Sequence, residues 1–420
     1  MKHKRILSLF LLLGLLLAVT GCGENETAII SAPHDADDPV TLSVWVYPMG
    51  QWAEQSAVDA LLDGFGELCP DVTVEVTCLS AETGDSDVST AMETGTCPDV
   101  LLGTLSRLQH AQRCGGNAVD LSALYHSATY AAVKSACTDS RGAVYALPAV
   151  MDVTCMAINY EMFQSAGALQ YIDETNHTWT TENFLSAVKA LKSADQSPDV
   201  LALYCGGQNG DAGTRALVTN LYGGSFTDES RTQYTLDSEE NLTALTALQG
   251  LRGVIFDKNI VAADENILFD KEQLALSLCW GADRTAPENF TAFPMAYPTA
   301  DGEPRMPCEV WGFSCFDNGD GQKTEAAKAL LTYLTDTDSV YARLVTLCGH
   351  YGVRQYNGAV QDDFSAFLPM MGSYDSCTPG FAVARTEWYE LLQRLGDGAD
   401  VALEAETFCT NANAAAQAMK

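Results

Sequence analysis

Positive charge is scarce in this chain. Only 23 lysines and arginines accompany 55 aspartates and glutamates among 420 residues, a net charge of −32. Such a surface repels nucleic acid and excludes polybasic docking on anionic lipid. The acids are scattered, so they read as a solvating surface rather than a binding patch. Tight cysteine pairs are absent too. There is no C-x-x-C among the 14 cysteines, and two of the six histidines, His3 and His34, precede any folded part. A structural zinc site needs closer spacing, so no metal is expected. No G-x-S-x-G, H-E-x-x-H or Ser-His-Asp order occurs, which removes the common hydrolase frames. The turn Cys205-Gly206-Gly207-Gln208-Asn209-Gly210 lacks G-x-x-x-x-G-K and any basic residue, so it does not cradle phosphate. Asp317-Asn318-Gly319-Asp320-Gly321 fails the EF-hand spacing and reads as a plain turn. Without internal repeats or a stalk, a structural adhesin is disfavoured.

The sequence has one long apolar run, residues 6–19, behind Lys2, Lys4 and Arg5. It is too short to span a bilayer comfortably and closes on Val19-Thr20-Gly21-Cys22. Small residues before a cysteine resemble the bacterial lipobox, in which the Cys22 sulfur is acylated and becomes the mature N-terminus. The bland alternative is an ordinary secretory signal with an incidental cysteine. Residues 23–39 are polar and acidic, without periodicity, and read as a flexible tether. Losing the three signal cations leaves 20 basic against 55 acidic residues, a net charge of −35. Thirteen cysteines remain, an odd number. Exported cysteines usually pair, but Cys78, Cys155, Cys279 and Cys315 lie in apolar strands, where cysteine acts as a small hydrophobe. We read them as mostly free thiols, in an organism that lives without oxygen.

Roughly 380 residues then remain, too many for one ordinary core and suited to two lobes. A hydrophobic fraction of 47% and an aromatic fraction of 9% supply the apolar surface. Leu42, Val44 and Val46 alternate as in a strand, and Val58, Leu61, Leu62 and Phe65 repeat as on a helix. Strands at 70–76 and 98–103 continue the alternation that builds a parallel sheet covered by helices. In such sheets ligands collect at the carboxyl ends of strands, here near Tyr47-Pro48-Met49 and Gly103-Thr104-Leu105. The stretch from Arg141 to Leu191 is the pivot. A strand reaches Pro148, where pairing should stop. A second strand, 154–159, starts at once. Phe184, Leu185, Val188 and Leu191 then mark a helix capped by Thr180 or Thr181. Two strands meeting end to end make a crossover between lobes.

Several of these stretches together resemble the extracellular solute-binding proteins of ABC importers, in the group similar to maltose and oligosaccharide binders. They are the lipobox, Leu42-Ser43-Val44-Trp45, Pro98-Asp99-Val100, Tyr145-Ala146-Leu147-Pro148, Ile158-Asn159-Tyr160-Glu161-Met162-Phe163, Thr178-Trp179-Thr180 and Gly349-His350-Tyr351-Gly352-Val353-Arg354. Each is weak alone; their order and spacing carry the likeness over the whole mature chain. The resemblance implies an α/β fold of the two-lobed periplasmic-binding-protein type II, with a strand-crossover hinge. We place the N-terminal lobe at 40–150 and 288–336 and the C-terminal lobe at 151–287 and 337–420. The resemblance further implies a monomer without a cofactor, lipid-anchored on the outer face of the membrane, that closes on a solute and delivers it to an ABC permease.

A sugar presents apolar C–H faces ringed by hydroxyls, so its site needs flat aromatics and hydrogen-bonding side chains. The aromatic candidates are Tyr47, Trp52, Trp280, Trp311 and Tyr351, at strand ends or lobe crossings. The polar ones are Thr104, Asp152, Gln208, Asn209, Glu309 and Arg354. Asp152 fits a turn cap equally well, and Trp179 and Trp388 read as packing residues. Two other readings stay open. One is a non-sugar solute such as a polyamine, peptide or glycerophosphodiester, with Asp152 and Glu309 the first partners for a cation. The other is a secreted glycoside hydrolase acting through two carboxylates.

Overall fold

The computed structural model describes residues 39–139, 141–193 and 199–419. Cys22, the rest of the expected signal and tether residues 23–38 lie outside them. Among the described residues no helix is long and apolar enough to cross a membrane.

The first lobe grows from β1 (Val40–Val46), whose residues 40, 42, 44 and 46 are buried while the alternate ones face outward or lie half-covered. Helix α1 (Gln55–Leu68) covers the sheet with Val58, Leu61 and Phe65. Burying side chains of this size contributes about 1.5–3 kcal/mol each. Next come β2 (Val72–Cys78), α2 (Gly84–Thr94), β3 (Val100–Thr104) and α3 (Leu105–Arg113), with β1 parallel to both other strands. After α4 (Ala131–Cys137) runs β4 (Leu147–Met151). It joins the sheet through β11 (Val310–Cys315), which is antiparallel to β3 and β4, and β12 (Tyr351–Gly352) closes the edge. The order is β12-β4-β11-β3-β1-β2.

Pairing does not stop at Pro148. Pro148 stands opposite Gly312, and the ladder continues to Met151 across a register shift between Trp311 and Gly312. On the other side β12 covers only Val150 and Met151. Proline is tolerated at such an irregular, half-covered place in a strand because its missing N–H breaks no ladder bond there.

The second lobe begins two residues later. Strand β5 (Thr154–Asn159) lies between β8 (Leu276–Gly281) and β9 (Ala292–Met295), antiparallel to both. Beside them β6 (Leu201–Tyr204) pairs in parallel with β7 (Val254–Asp257). Around them pack α5 (Tyr160–Ser165), α6 (Thr181–Leu191), α7 (Ala212–Leu221), α8 (Glu239–Gly250) and α9 (Ala262–Asp270). Thr180 caps α6 by accepting the Asn183 amide, and Phe184 and Val188 are buried. Trp179 packs against Phe163 and Phe184 and donates its indole N–H to the Ala296 carbonyl at 2.8 Å.

The lobe boundaries differ from those drawn on the sequence. Residues 292–295 pair in the second lobe, so the chain returns to the first only at β11. Helices α10 (Gly321–Thr335) and α11 (Asp338–Cys348) then pack on β1 and α1, and β12 joins β4, so 338–352 stay in the first lobe. The third passage ends in α12 (Phe381–Gly396) and α13 (Val401–Ala418), which contact β7 and α8 of the second lobe. Strands β10 (Met306–Pro307) and β13 (Met371–Ser373) pair in parallel, zipping the second and third passages together. The thirteen described cysteines are unpaired thiols. Cys155 and Cys315 are buried and Cys279 half-buried, whereas Cys78, expected inside, is exposed at the end of β2.

Candidate functional site

Strand directions gather the site. β1, β3 and β4 end along one edge of the first sheet, and antiparallel β11 begins there. Asp152 follows β4 and Glu309 precedes β11. The two are clamped together: the Glu309 amide donates to Asp152 Oδ1 at 2.6 Å, and the Asp152 amide donates to the Glu309 carbonyl at 3.1 Å. Across from them, the turn after β6 leads into α7, where Asp211 and Arg215 stand one helical turn apart and form a buried ion pair. Arg385 of α12 reaches both Asp211 oxygens at 3.0 Å through Nε and also donates to the Gln208 carbonyl. Asp375 lies 3.5 Å from Arg215 Nε.

These groups line a hollow of about 200 Å³ at the crossover, between the hinge and the second lobe, with Thr154, Cys308 and Phe381 among its walls. A larger hollow of about 660 Å³ adjoins it, sharing Ser373 and Asp375. That one is lined by Ser135 of α4, the segment 223–229 and Gly372 and Ser373 at the end of β13, and no strand end of the six-stranded sheet opens into it. The smaller hollow is therefore the candidate site.

Its electrostatics are unusual. Burial pushes Glu309 up to about 7, with neighbouring Asp152 adding to the rise and Arg107 and Arg385 opposing it. Burial also raises Asp152, against the hydrogen bond from the Glu309 amide. Burial raises Asp375 despite Arg215. Burial works against the Arg215 charge, but Asp211 and Asp375 outweigh it and hold the guanidinium protonated.

A family model described as bacterial extracellular solute-binding protein matches residues 50–341. The chain belongs to this family. No curated protein matches the sequence at significance. Solved structures extend the likeness in fold. A cyclic alpha-maltosyl-1,6-maltose binding protein from Arthrobacter globiformis is 19% identical, at a TM-score of 0.67 over 90% of this chain and 100% of that one. An extracellular solute-binding protein from Staphylococcus aureus, in complex with maltose, is 13% identical at 0.70 over 91% and 99%. An ABC transporter solute binding protein from Agrobacterium radiobacter K84, in complex with ribitol, is 17% identical at 0.59 over 90% and 99%. The two-lobed, type II architecture is thus that of extracytoplasmic solute-binding proteins.

In this solute-binding protein the sequence candidates divide. Asp152 and Glu309 come together in the hollow. Gln208 lies beside it, its carbonyl accepting from Arg385 and its side-chain amide donating to the Ala382 carbonyl and the Thr386 hydroxyl. Asn209 is exposed beside it. Thr104 is buried at the end of β3 opposite Trp311, its hydroxyl 3.1 Å from that of Ser106. Trp311 is half-buried against His350, and Tyr351 donates to Asp362 at 2.6 Å outside the hollow. Tyr47 lies under the Arg107 guanidinium, 4.2 Å from the ring centre.

Four candidates are less than 5% exposed: Tyr47, at 2%, and the three that follow. Trp52 is 3% exposed and donates to Cys348 Sγ at 3.4 Å. Trp280 is 4% exposed, packed between Phe269 and Arg284. Arg354 is 3% exposed, bound to Asp338 and to the Thr335 and Asp336 carbonyls. Four residues of the hollow escaped the sequence reading: Asp211, Arg215, Asp375 and Arg385. An Asp–Arg pair at i,i+4 directly after a glycine-rich turn was a usable signal for the first two. Nothing local marked the others.

Proposed function

We propose that this chain captures an extracellular carbohydrate by lobe closure and hands it, chemically unchanged, to an ABC permease. The observation that carries this reading is the hollow at the crossover, where the hinge carboxylates of Asp152 and Glu309 face carboxylates and guanidiniums of the second lobe. Such groups accept from and donate to hydroxyls, and closure is favoured to the extent that a ligand touches both walls at once. That the similar structures are those of a cyclic alpha-maltosyl-1,6-maltose binding protein and of complexes with maltose and ribitol supports a polyhydroxylated solute. The protein acts as a monomer, held at the outer face of the membrane through acylated Cys22.

A thermal-shift screen of the mature chain tests the function. A ligand that binds only the folded state raises the melting point, by about 2.7 kcal/mol of stabilisation at a hundred times its dissociation constant. Mono- or oligosaccharides should raise it, bind with a stoichiometry of about one, and be recovered intact. Peptides or glycerophosphodiesters stabilising the chain while no saccharide does would overturn the carbohydrate reading, and release of cleaved sugar would overturn the non-enzymatic one.

A further inference from the structure

The two walls of the hollow differ in charge balance. On the second-lobe wall, Asp211 and Asp375 are matched by Arg215 and Arg385, all in contact. On the hinge wall, Asp152 and Glu309 have no ion-pair partner among the described residues, and the Glu309 carboxylate has no hydrogen bond either. It is half-buried and borders the hollow. The cations nearest to it are committed elsewhere. Arg107 pairs with Asp85 at 3.0 Å and lies over Tyr47. Arg385 holds Asp211 and the Gln208 carbonyl. The remaining titratable groups facing the pair are His350 and Asp283, on the side of Asp152.

A half-buried pair of like charges with no ion-pair partner is costly, and removing water from it on lobe closure makes it more so. A neutral hydroxyl relieves little of that cost. A compact cation with several N–H donors relieves most of it. We propose that the captured solute carries a protonated amine, which docks against the carboxylates of Asp152 and Glu309 while the rest of the molecule faces Asp211 and Arg385. This rests on the hollow being the solute site. The amine can belong to an aminated sugar or to a polyamine.

Calorimetric titration of the mature chain at pH 7.5 tests this. The probes are glucosamine oligomers of one to three units, the same lengths in N-acetylated form, the matching glucose oligomers, and spermidine. An amine-bearing probe should bind at least about tenfold tighter than its neutral counterpart, the size expected for a charge-assisted contact. That preference should vanish in Glu309→Gln and shrink in Asp152→Asn, with the melting curve of each variant confirming its fold. Saccharides binding with no preference for the amine overturn the proposal and leave the carbohydrate reading intact. Spermidine binding without any saccharide supports the amine and removes the sugar. A preference that survives both variants, or no binding by any probe, overturns it.

Discussion

Arg354 shows how an exposed-looking charge in a sequence becomes a structural part. Its guanidinium sits 4.2 Å over the Tyr341 ring and donates to the Thr335 and Asp336 carbonyls at 3.1 and 3.2 Å, tying the α10–α11 turn to β12. Truncation leaves those buried acceptors without donors. Arg354→Ala should therefore cost about 3 kcal/mol, seen as a lower urea midpoint at unchanged slope, while ligand affinity of the folded protein stays the same. A weakened affinity at unchanged stability would return Arg354 to the site. The aromatic candidates teach a related lesson. A tryptophan beside a glycine at a strand end was legible as a position, and Trp280 does close β8. Which face it points to was not, because that depends on which helix covers the strand. Here α9 brings Phe269 against it. Asp152 was legible as a crossover neighbour, because only it and Val153 separate two apolar strands.

At the scale of elements, the strand-to-strand crossover was readable because two apolar runs abut with only Asp152 and Val153 between them. Its tolerance of Pro148 was not, since that depends on the short reach of β12 and on the offset in β11. Gly312 is central to that offset. A Cβ there would lie 2.7 Å from the Leu147 carbonyl oxygen and 3.2 Å from the Pro148 Cα, both backbone atoms that cannot step aside cheaply. Gly312→Ala should then push β4 away from β11 and loosen the Asp152–Glu309 clamp a few residues on. The expected outcome is a loss of about 1–3 kcal/mol with faster amide exchange at Leu147 and at residues 149–152. Exchange that stays as slow as in the parent chain would mean that the strands absorb the methyl group without parting.

For the whole molecule, lobe count and class followed from length and alternation, while the returns of the chain were misplaced because nothing in residues 288–352 announces which sheet an incoming strand will join. Charge is the property that acts on the entire fold. Glu265 is buried in the second lobe, where it accepts the Leu278 amide at 2.7 Å and the Ser277 hydroxyl at 3.0 Å, and burial pushes it up to about 8. Glu309 reaches about 7 by the same cause. A carboxyl raised on folding holds its proton more tightly in the folded than in the unfolded chain. Stability from such groups is complete below the ordinary glutamate value of 4.5 and drains away as pH climbs to about 8. Hydrogen bonds hold Asp120 and Asp301 below the usual range, and these act oppositely, losing their contribution as pH falls from the ordinary aspartate value of 3.8 through their lower folded values. The net charge of −32 adds repulsion on the alkaline side. The melting temperature should accordingly peak at about pH 5 and fall steadily toward pH 8.5. Glu265→Gln, which keeps the acceptor oxygen and removes the titration, should flatten that fall between pH 6 and 8 without moving the acid limb. A parent melting curve that is level from pH 5 to 8 would show that Glu265 ionises inside the folded lobe at no cost, and that the burial ascribed to it is relieved by solvent.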